Sequence, residues 1–135
     1  MTKLIAISVV IVIVVFLSFN VYNKSMDTQK IILQIVIDLP ELEQYYHLDV
    51  PGRKPLAILK NGVVSTDGLN KFGEPVVYIE KPDEGRAYLE FTKRDVGENT
   101  ADVEFLYPAE GVRGTVNLRL ANGKWEVVDK SIAER

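Results

Sequence analysis

An uncharged run at positions 4–21 constrains this chain more than any other feature. At about 1.5 Å of helical rise per residue, the run reaches roughly 27 Å, which is close to the hydrocarbon thickness of a bilayer. It is apolar on all sides, so a helix formed by it has no face to turn toward water. The run is also longer than the apolar core of a signal peptide, and no small-residue cleavage site follows it. We predict an uncleaved membrane anchor over residues 1–24, followed by one domain over residues 25–135.

The charges beside this run do not decide its orientation, because Lys3 and the α-amino group on one side balance Lys24 and Lys30 on the other. A short N-terminal tail stays in the cytoplasm more readily than a long C-terminal domain. We therefore predict a single-pass protein of the cell membrane, held through residues 4–21, with its N-terminus inside and its domain outside the cytoplasm.

The composition of the domain excludes several classes of function. From position 38 onward there are 18 Asp and Glu residues against 13 Lys and Arg residues, a net charge of −5, which is unfavourable for nucleic-acid binding. The chain has no cysteine and one histidine, His47, so it cannot assemble a zinc site from His and Cys ligands. Neither a nucleophile motif nor a glycine-rich phosphate loop is present. We predict no cofactor, no metal site, no nucleic-acid partner and no catalytic activity.

Two helices are predicted before the strands begin. Apolar residues recur with helical spacing over residues 25–38, in pairs at 31/32 and 35/36. This pattern favours a core helix, although a short strand and a helix on the membrane surface remain open. Asp38 and Glu41 then have the spacing of a capping box, and Pro40 falls in the first turn of a second helix. This second helix is expected to end near His47.

From position 55 the period of the apolar residues changes from helical to two. Alternating segments over residues 86–94, 101–107 and 115–128 are separated by turns rich in Gly, Pro and Asn. Such alternation is typical of an antiparallel meander with one wet face. The inner face of the meander needs an apolar cover, and the preceding helices can supply it. The predicted fold is α+β: a transmembrane helix, then one or two short helices packed on a curled antiparallel meander.

Two Asn-Gly pairs, at residues 61–62 and 122–123, are predicted to form type I′ hairpin turns. In the second hairpin, counting outward from the turn places Leu120 opposite Trp125 on the buried side. A slip of one residue would bury a glutamate instead of the tryptophan, so the pattern specifies the register.

One group of residues is a candidate binding site. Tyr45, Tyr46 and His47 are followed closely by Arg53 and Lys54, so aromatic and basic groups lie around one turn. Aromatic side chains with nearby cations are common in ligand pockets and at partner interfaces. The alternative is that the tyrosines belong to the core and the bases to the ordinary surface.

Residues 114–129, which end in a Gly-Lys-Trp-Glu-Val hairpin strand, resemble the closing hairpin of small bacterial NTF2-like (cystatin-like α+β) domains. The resemblance extends over residues 86–132. NTF2-like domains usually carry three helices around a deep pocket, whereas this chain has one or two. The resemblance therefore implies a membrane-anchored binding or assembly module.

The sequence predicts a membrane-anchored, non-catalytic binding or assembly module that acts on a protein partner or a small ligand. Pilin-like filament or secretion subunits are an alternative, since they also join an apolar N-terminal helix to an antiparallel sheet. A small pocket enzyme of the NTF2-like type is a further alternative. An enclosed cavity with convergent polar groups would favour the enzyme, and removal of a leader peptide would favour the pilin.

Overall fold

A computed structural model of the chain describes residues 27–61, 68–83 and 85–135. The predicted anchor at residues 4–21 lies outside the described residues, and so does most of the hairpin predicted around residues 61–62. Among the described residues, neither helix has the length and apolar character needed to span a bilayer. The described part is an α+β domain, as predicted.

The described residues form two helices and eight strands. Helix α1 covers residues 27–37, and helix α2 covers Pro40–Tyr46. The strands are β1 Ala57–Leu59, β2 Asn70–Lys71, β3 Glu74–Pro75, β4 Val77–Ile79, β5 Glu90–Val96, β6 Thr100–Tyr107, β7 Val112–Ala121 and β8 Lys124–Glu134. A 3₁₀ turn at Pro108–Glu110 joins β6 to β7.

Helix α1 is a core helix, which supports the first of the three interpretations of this segment. Ile32, Leu33, Val36 and Ile37 have lost almost all exposure to solvent and belong to the main hydrophobic cluster. The buried face lies about one position further along the helix than predicted, because Ile31 remains 50% exposed. The apolar face of α1 is therefore wider than the surface that covers it.

Helix α2 begins and ends where the sequence predicted, but the capping box is wrong. Leu39 is the N-cap residue, and no side chain caps the helix. Asp38 instead accepts a hydrogen bond from Lys71 Nζ at 3.0 Å, so its carboxylate is directed to β2 rather than to the start of the helix. Pro40 occupies the first turn, and His47 ends the helix in the left-handed conformation, with φ of 45°.

The main sheet is an antiparallel meander with strand order β5-β6-β7-β8, as predicted. Strand β1 departs from the prediction, because it pairs in parallel with β4. A further parallel bridge joins Ile58 of β1 to Leu89, at the entrance to β5. All three residues of β1 are buried. A strand without a wet face suits a covered position between neighbours better than one arm of an exposed hairpin.

The C-terminal hairpin has the predicted register. Leu120 pairs with Trp125, and the ladder continues outward through Leu118 without a shift. Asn122 (φ 52°) and Gly123 (φ 77°) both adopt the left-handed conformation that a type I′ turn requires. Trp125 faces the inner side but is only half-buried.

A β-bulge interrupts the β7–β8 ladder beyond this hairpin. Asn117 pairs with Asp129, so Val128 is an extra residue on β8. Residues directly opposite each other share a face of an antiparallel sheet. Lys130 pairs with the buried Val116 and therefore lies on the inner side. The bulge brings this lysine to the face that α1 covers.

The inner face of the sheet contains one close approach that requires glycine. Gly114 of β7 pairs with Phe105 of β6, and a Cβ atom at position 114 would lie 2.2 Å from the Phe105 ring. Phe105 is fully buried, so its ring has no free space into which it could move.

We expect Gly114→Ala to destabilise the domain by about 1–3 kcal/mol, because the added methyl group overpacks the core. Urea unfolding of the full chain in nonionic micelles, followed by tryptophan fluorescence, measures this loss. Gly85→Ala is the control, since its Cβ would meet only one atom, at 3.9 Å. Adding Phe105→Leu to Gly114→Ala should cost less than the sum of the two single changes. Equal stabilities of the two alanine variants would contradict this account of the core.

Candidate functional site

The predicted cluster of aromatic and basic residues is divided between the core and the surface. Tyr46 is 1% exposed, and its hydroxyl donates a hydrogen bond of 2.6 Å to the carbonyl of Ile37. Burial raises the pKa of Tyr46, so the phenol remains a donor. Tyr45 packs half-buried against the same core, whereas Lys54 is exposed. Tyr46 thus ties the second helix to the end of the first.

Arg53 and His47 both contact the carboxylate of Glu110, a residue that the sequence pattern did not identify. Arg53 Nη1 lies 2.8 Å from Glu110 Oε1, and His47 Nε2 lies 3.7 Å from the same oxygen. The Arg53 guanidinium also lies 6.0 Å from the centre of the Tyr107 ring. Glu110 belongs to the 3₁₀ turn, and no periodic pattern marks it as a partner of distant bases. These contacts supply structural roles for Arg53 and Tyr46, and a binding role for the cluster stays a prediction.

Lys71 organises a second cluster, at the junction of the two helices. Its Nζ atom forms ion pairs with Asp38, at 3.0 Å, and with Glu43. It also lies 5.3 Å from the ring centre of Tyr46 and 5.6 Å from that of Phe72. Desolvation alone would lower the pKa of Lys71, but hydrogen bonds to Glu43 and Asp38 outweigh it and raise the pKa. Lys71 thus fastens strand β2 to both helices.

A groove lined mainly by apolar side chains lies between α1 and β8. It has a volume of about 600 Å³. Ile31, Ile35 and Leu39 form one wall at intervals of four residues along and just beyond α1, and Val127 of β8 contributes to the opposite wall. Ile31 is half-exposed there, and Ile35 is partly buried, whereas the next residue along the helix, Ile32, is fully buried. We name this feature the α1–β8 groove.

Charged groups stand around the rim of the α1–β8 groove. Lys30 lies at one end of the α1 wall and Asp38 at the other. Lys130 projects from β8 and forms a 2.6 Å ion pair with Glu41 of α2. A hydrogen bond from Lys130 is the main cause of the lowered pKa of Glu41. The groove is therefore apolar inside and carries opposite charges at the two ends of its helical wall.

Sequence reasoning missed this groove, although it recognised the apolar residues that line it. Ile31 and Ile35 belong to the predicted face of the first helix, and their pattern alone assigned them to the core. Their exposure depends on how far the sheet extends sideways, which local periodicity does not reveal. The inward position of Lys130 depends likewise on the bulge at Val128.

The groove has no metal-binding group of side chains in the part of the chain that the structure describes. Within residues 27–61, 68–83 and 85–135, no group of three acidic or histidine side chains is placed to hold a metal ion. A scan against protein-family models finds none that matches this chain, and searches of curated proteins and of solved structures find no match either. The NTF2-like resemblance stays a prediction.

We expect Lys71→Met to destabilise the domain by about 1–2 kcal/mol at pH 7, because two ion pairs to a side chain only 9% exposed are lost. The folded-state pKa of Lys71 lies above its ordinary value of 10.5. Its contribution is therefore complete below about pH 10 and disappears as the pH rises through the folded-state pKa. Urea unfolding of both proteins across this range measures the difference.

The control for this prediction is Lys60→Met, since Lys60 is exposed and lies 3.5 Å from an exposed carboxylate. The change should cost less than about 0.5 kcal/mol. A difference between wild type and Lys71→Met that stays constant up to pH 12 would refute the ion-pair explanation.

Proposed function

We propose that this protein is a membrane-anchored, non-catalytic binding module that holds an apolar segment of a protein partner in the α1–β8 groove. The observation that carries the proposal is the apolar wall formed by the half-exposed Ile31 and the partly buried Ile35. Exposed apolar surface rimmed by charged groups is characteristic of interaction sites. The groove is open to solvent at Ile31, which suits a segment of another chain better than a small molecule that must be enclosed.

The arrangement of polar groups supports binding rather than catalysis. Lys130 is engaged with Glu41, and Asp38 is engaged with Lys71. Their charges are thus matched within the domain, whereas the polar groups of a catalytic site converge on the reacting atoms. Arg53 is similarly engaged with Glu110.

The predicted anchor limits the distance between the groove and the membrane, and therefore the location of a partner. Only residues 22–26 separate the predicted membrane span from the first described residue of α1. At no more than about 3.5 Å per residue, this connection keeps the first described residue of α1 within roughly 20 Å of the predicted membrane span. The groove begins near this end of α1, at Lys30 and Ile31. We therefore propose a partner that is itself at the membrane.

The orientation can be tested because the chain contains no cysteine. We expect Glu98→Cys, in the exposed turn between β5 and β6, to react with a membrane-impermeant maleimide in intact cells. Thr2→Cys should react only after permeabilisation, because the short tail is predicted to stay inside. If position 2 but not position 98 is labelled in intact cells, the N-terminus is outside and the domain is in the cytoplasm, opposite to the proposed orientation. Release of the protein by carbonate extraction would exclude the anchor.

Use of the groove can be tested by photo-crosslinking in membranes. p-Benzoylphenylalanine at position 31 should crosslink to a discrete protein, and Ile35→Asp should reduce the yield at least about tenfold by placing a charge in the groove. The control position is Val50, which is 40% exposed and does not line the groove. Near-ultraviolet circular dichroism checks that Ile35→Asp remains folded. The same products at equal yield from positions 31 and 50 would reject the groove as the binding site.

A further inference from the structure

Strand β8 presents an unpaired edge next to the α1–β8 groove. It is 11 residues long and ends the strand order β5-β6-β7-β8, so only β7 pairs with it among the described strands. In an edge strand, alternate backbone N–H and C=O groups point away from the sheet and remain available for another strand.

The spacing of the groove wall matches an added strand. Side chains four residues apart on a helix, such as Ile31 and Ile35, are separated by about 6 Å along its axis. Alternate side chains of a β-strand are separated by about 6.8 Å. A strand paired with β8 would lie about 4.8 Å beyond it, and its inward side chains would then face the exposed wall of α1. Two consecutive inward positions can meet Ile31 and Ile35, and Leu39 beyond them is buried.

Antiparallel pairing is the more stable arrangement per residue, and for a strand of that direction the rim charges set the charge pattern. Strand β8 runs along α1 toward the helix C-terminus, because Val127 and then Lys130 line the groove and Lys130 contacts the first turn of α2. An antiparallel strand would begin near Asp38, which is 49% exposed, and end near Lys30. A basic residue before the apolar positions would join Lys71 and Gln34 at the half-exposed Asp38 carboxylate, and an acidic residue after them would face Lys30.

Features of β8 oppose indiscriminate pairing. The bulge at Val128 breaks the regularity of the edge, and Asp129 Oδ1 already accepts the backbone N–H of Lys130 at 3.0 Å. Bulges and charged side chains are devices that protect edge strands from aggregation. A strand that pairs with this edge but makes no contacts in the groove would therefore bind weakly. The side chains that enter the groove determine which segments bind.

We infer that the partner segment held by this protein is an extended peptide that pairs antiparallel with β8. Its alternate branched apolar side chains enter the α1–β8 groove, with a basic residue toward Asp38 and an acidic residue toward Lys30. The inference rests on the proposed binding function and specifies the conformation and charge pattern of the partner.

The probe is the peptide acetyl-KVTVTVE-amide, titrated into the full chain in lipid nanodiscs. Trp125, the single tryptophan, lies two residues before Val127 and reports binding through its emission. We expect saturable binding, weakened at least about tenfold by Ile35→Asp and unchanged by Val50→Asp. The charge-exchanged peptide acetyl-EVTVTVK-amide should bind at least about fivefold more weakly.

A peptide N-methylated at its three valines separates strand pairing from simple apolar docking. It keeps the side chains but loses backbone donors, so its affinity should fall at least about tenfold. Equal affinity of the N-methylated peptide, or no binding of the parent peptide, would overturn the inference.

A crosslink from position 31 to a second copy of this chain would also overturn the inference. If position 31 crosslinks to another protein in cells but the peptide does not bind, the binding function is retained and strand pairing is rejected. If the peptide binds but no crosslink forms in cells, strand pairing on β8 is retained and the proposed binding function is rejected.

Discussion

The packing of α1 on the inner face of the sheet is the interaction on which the rest of the domain depends. The meander leaves one apolar face that must be covered, and Ile32, Leu33, Val36 and Ile37 provide much of that cover. Burial of a side chain of this size contributes about 1.5–3 kcal/mol. The hydrogen bond from Tyr46 to the last turn of α1 fixes the second helix relative to the first.

The same helix supports both stability and the proposed binding. Its face toward the sheet is closed, while Ile31 and Ile35 beside that face line the groove next to β8. Strand β8 is the last strand of the described sheet, so the groove lies at the sheet's edge. Exposure at Ile31 is therefore a property of the sheet edge and not a defect in the pattern of the helix.

Local patterns predicted the features that local interactions determine. Alternation gave the buried residues of β5 and β6, such as Phe91 and Val103, and the Asn122-Gly123 turn gave the register of the last hairpin. The parallel pairing of β1 was not predictable in this way, because it joins segments that are far apart in the chain. The contacts of Glu110 and Lys71 and the extent of the groove likewise depend on tertiary placement. In the candidate site, the composition of the groove wall was visible in the sequence, but its exposure was not.

The position of α1 also affects how the domain would respond to mechanical load. The chain enters the described domain through this helix, whose buried side chains lie along its length beneath the sheet. Tension applied through the N-terminal segment would pull the helix lengthwise and load these contacts together, in shear. Contacts loaded in parallel resist extension better than contacts that open one after another. The core helix would thus carry the force between the domain and the N-terminal segment, and its buried contacts would resist unfolding under that force.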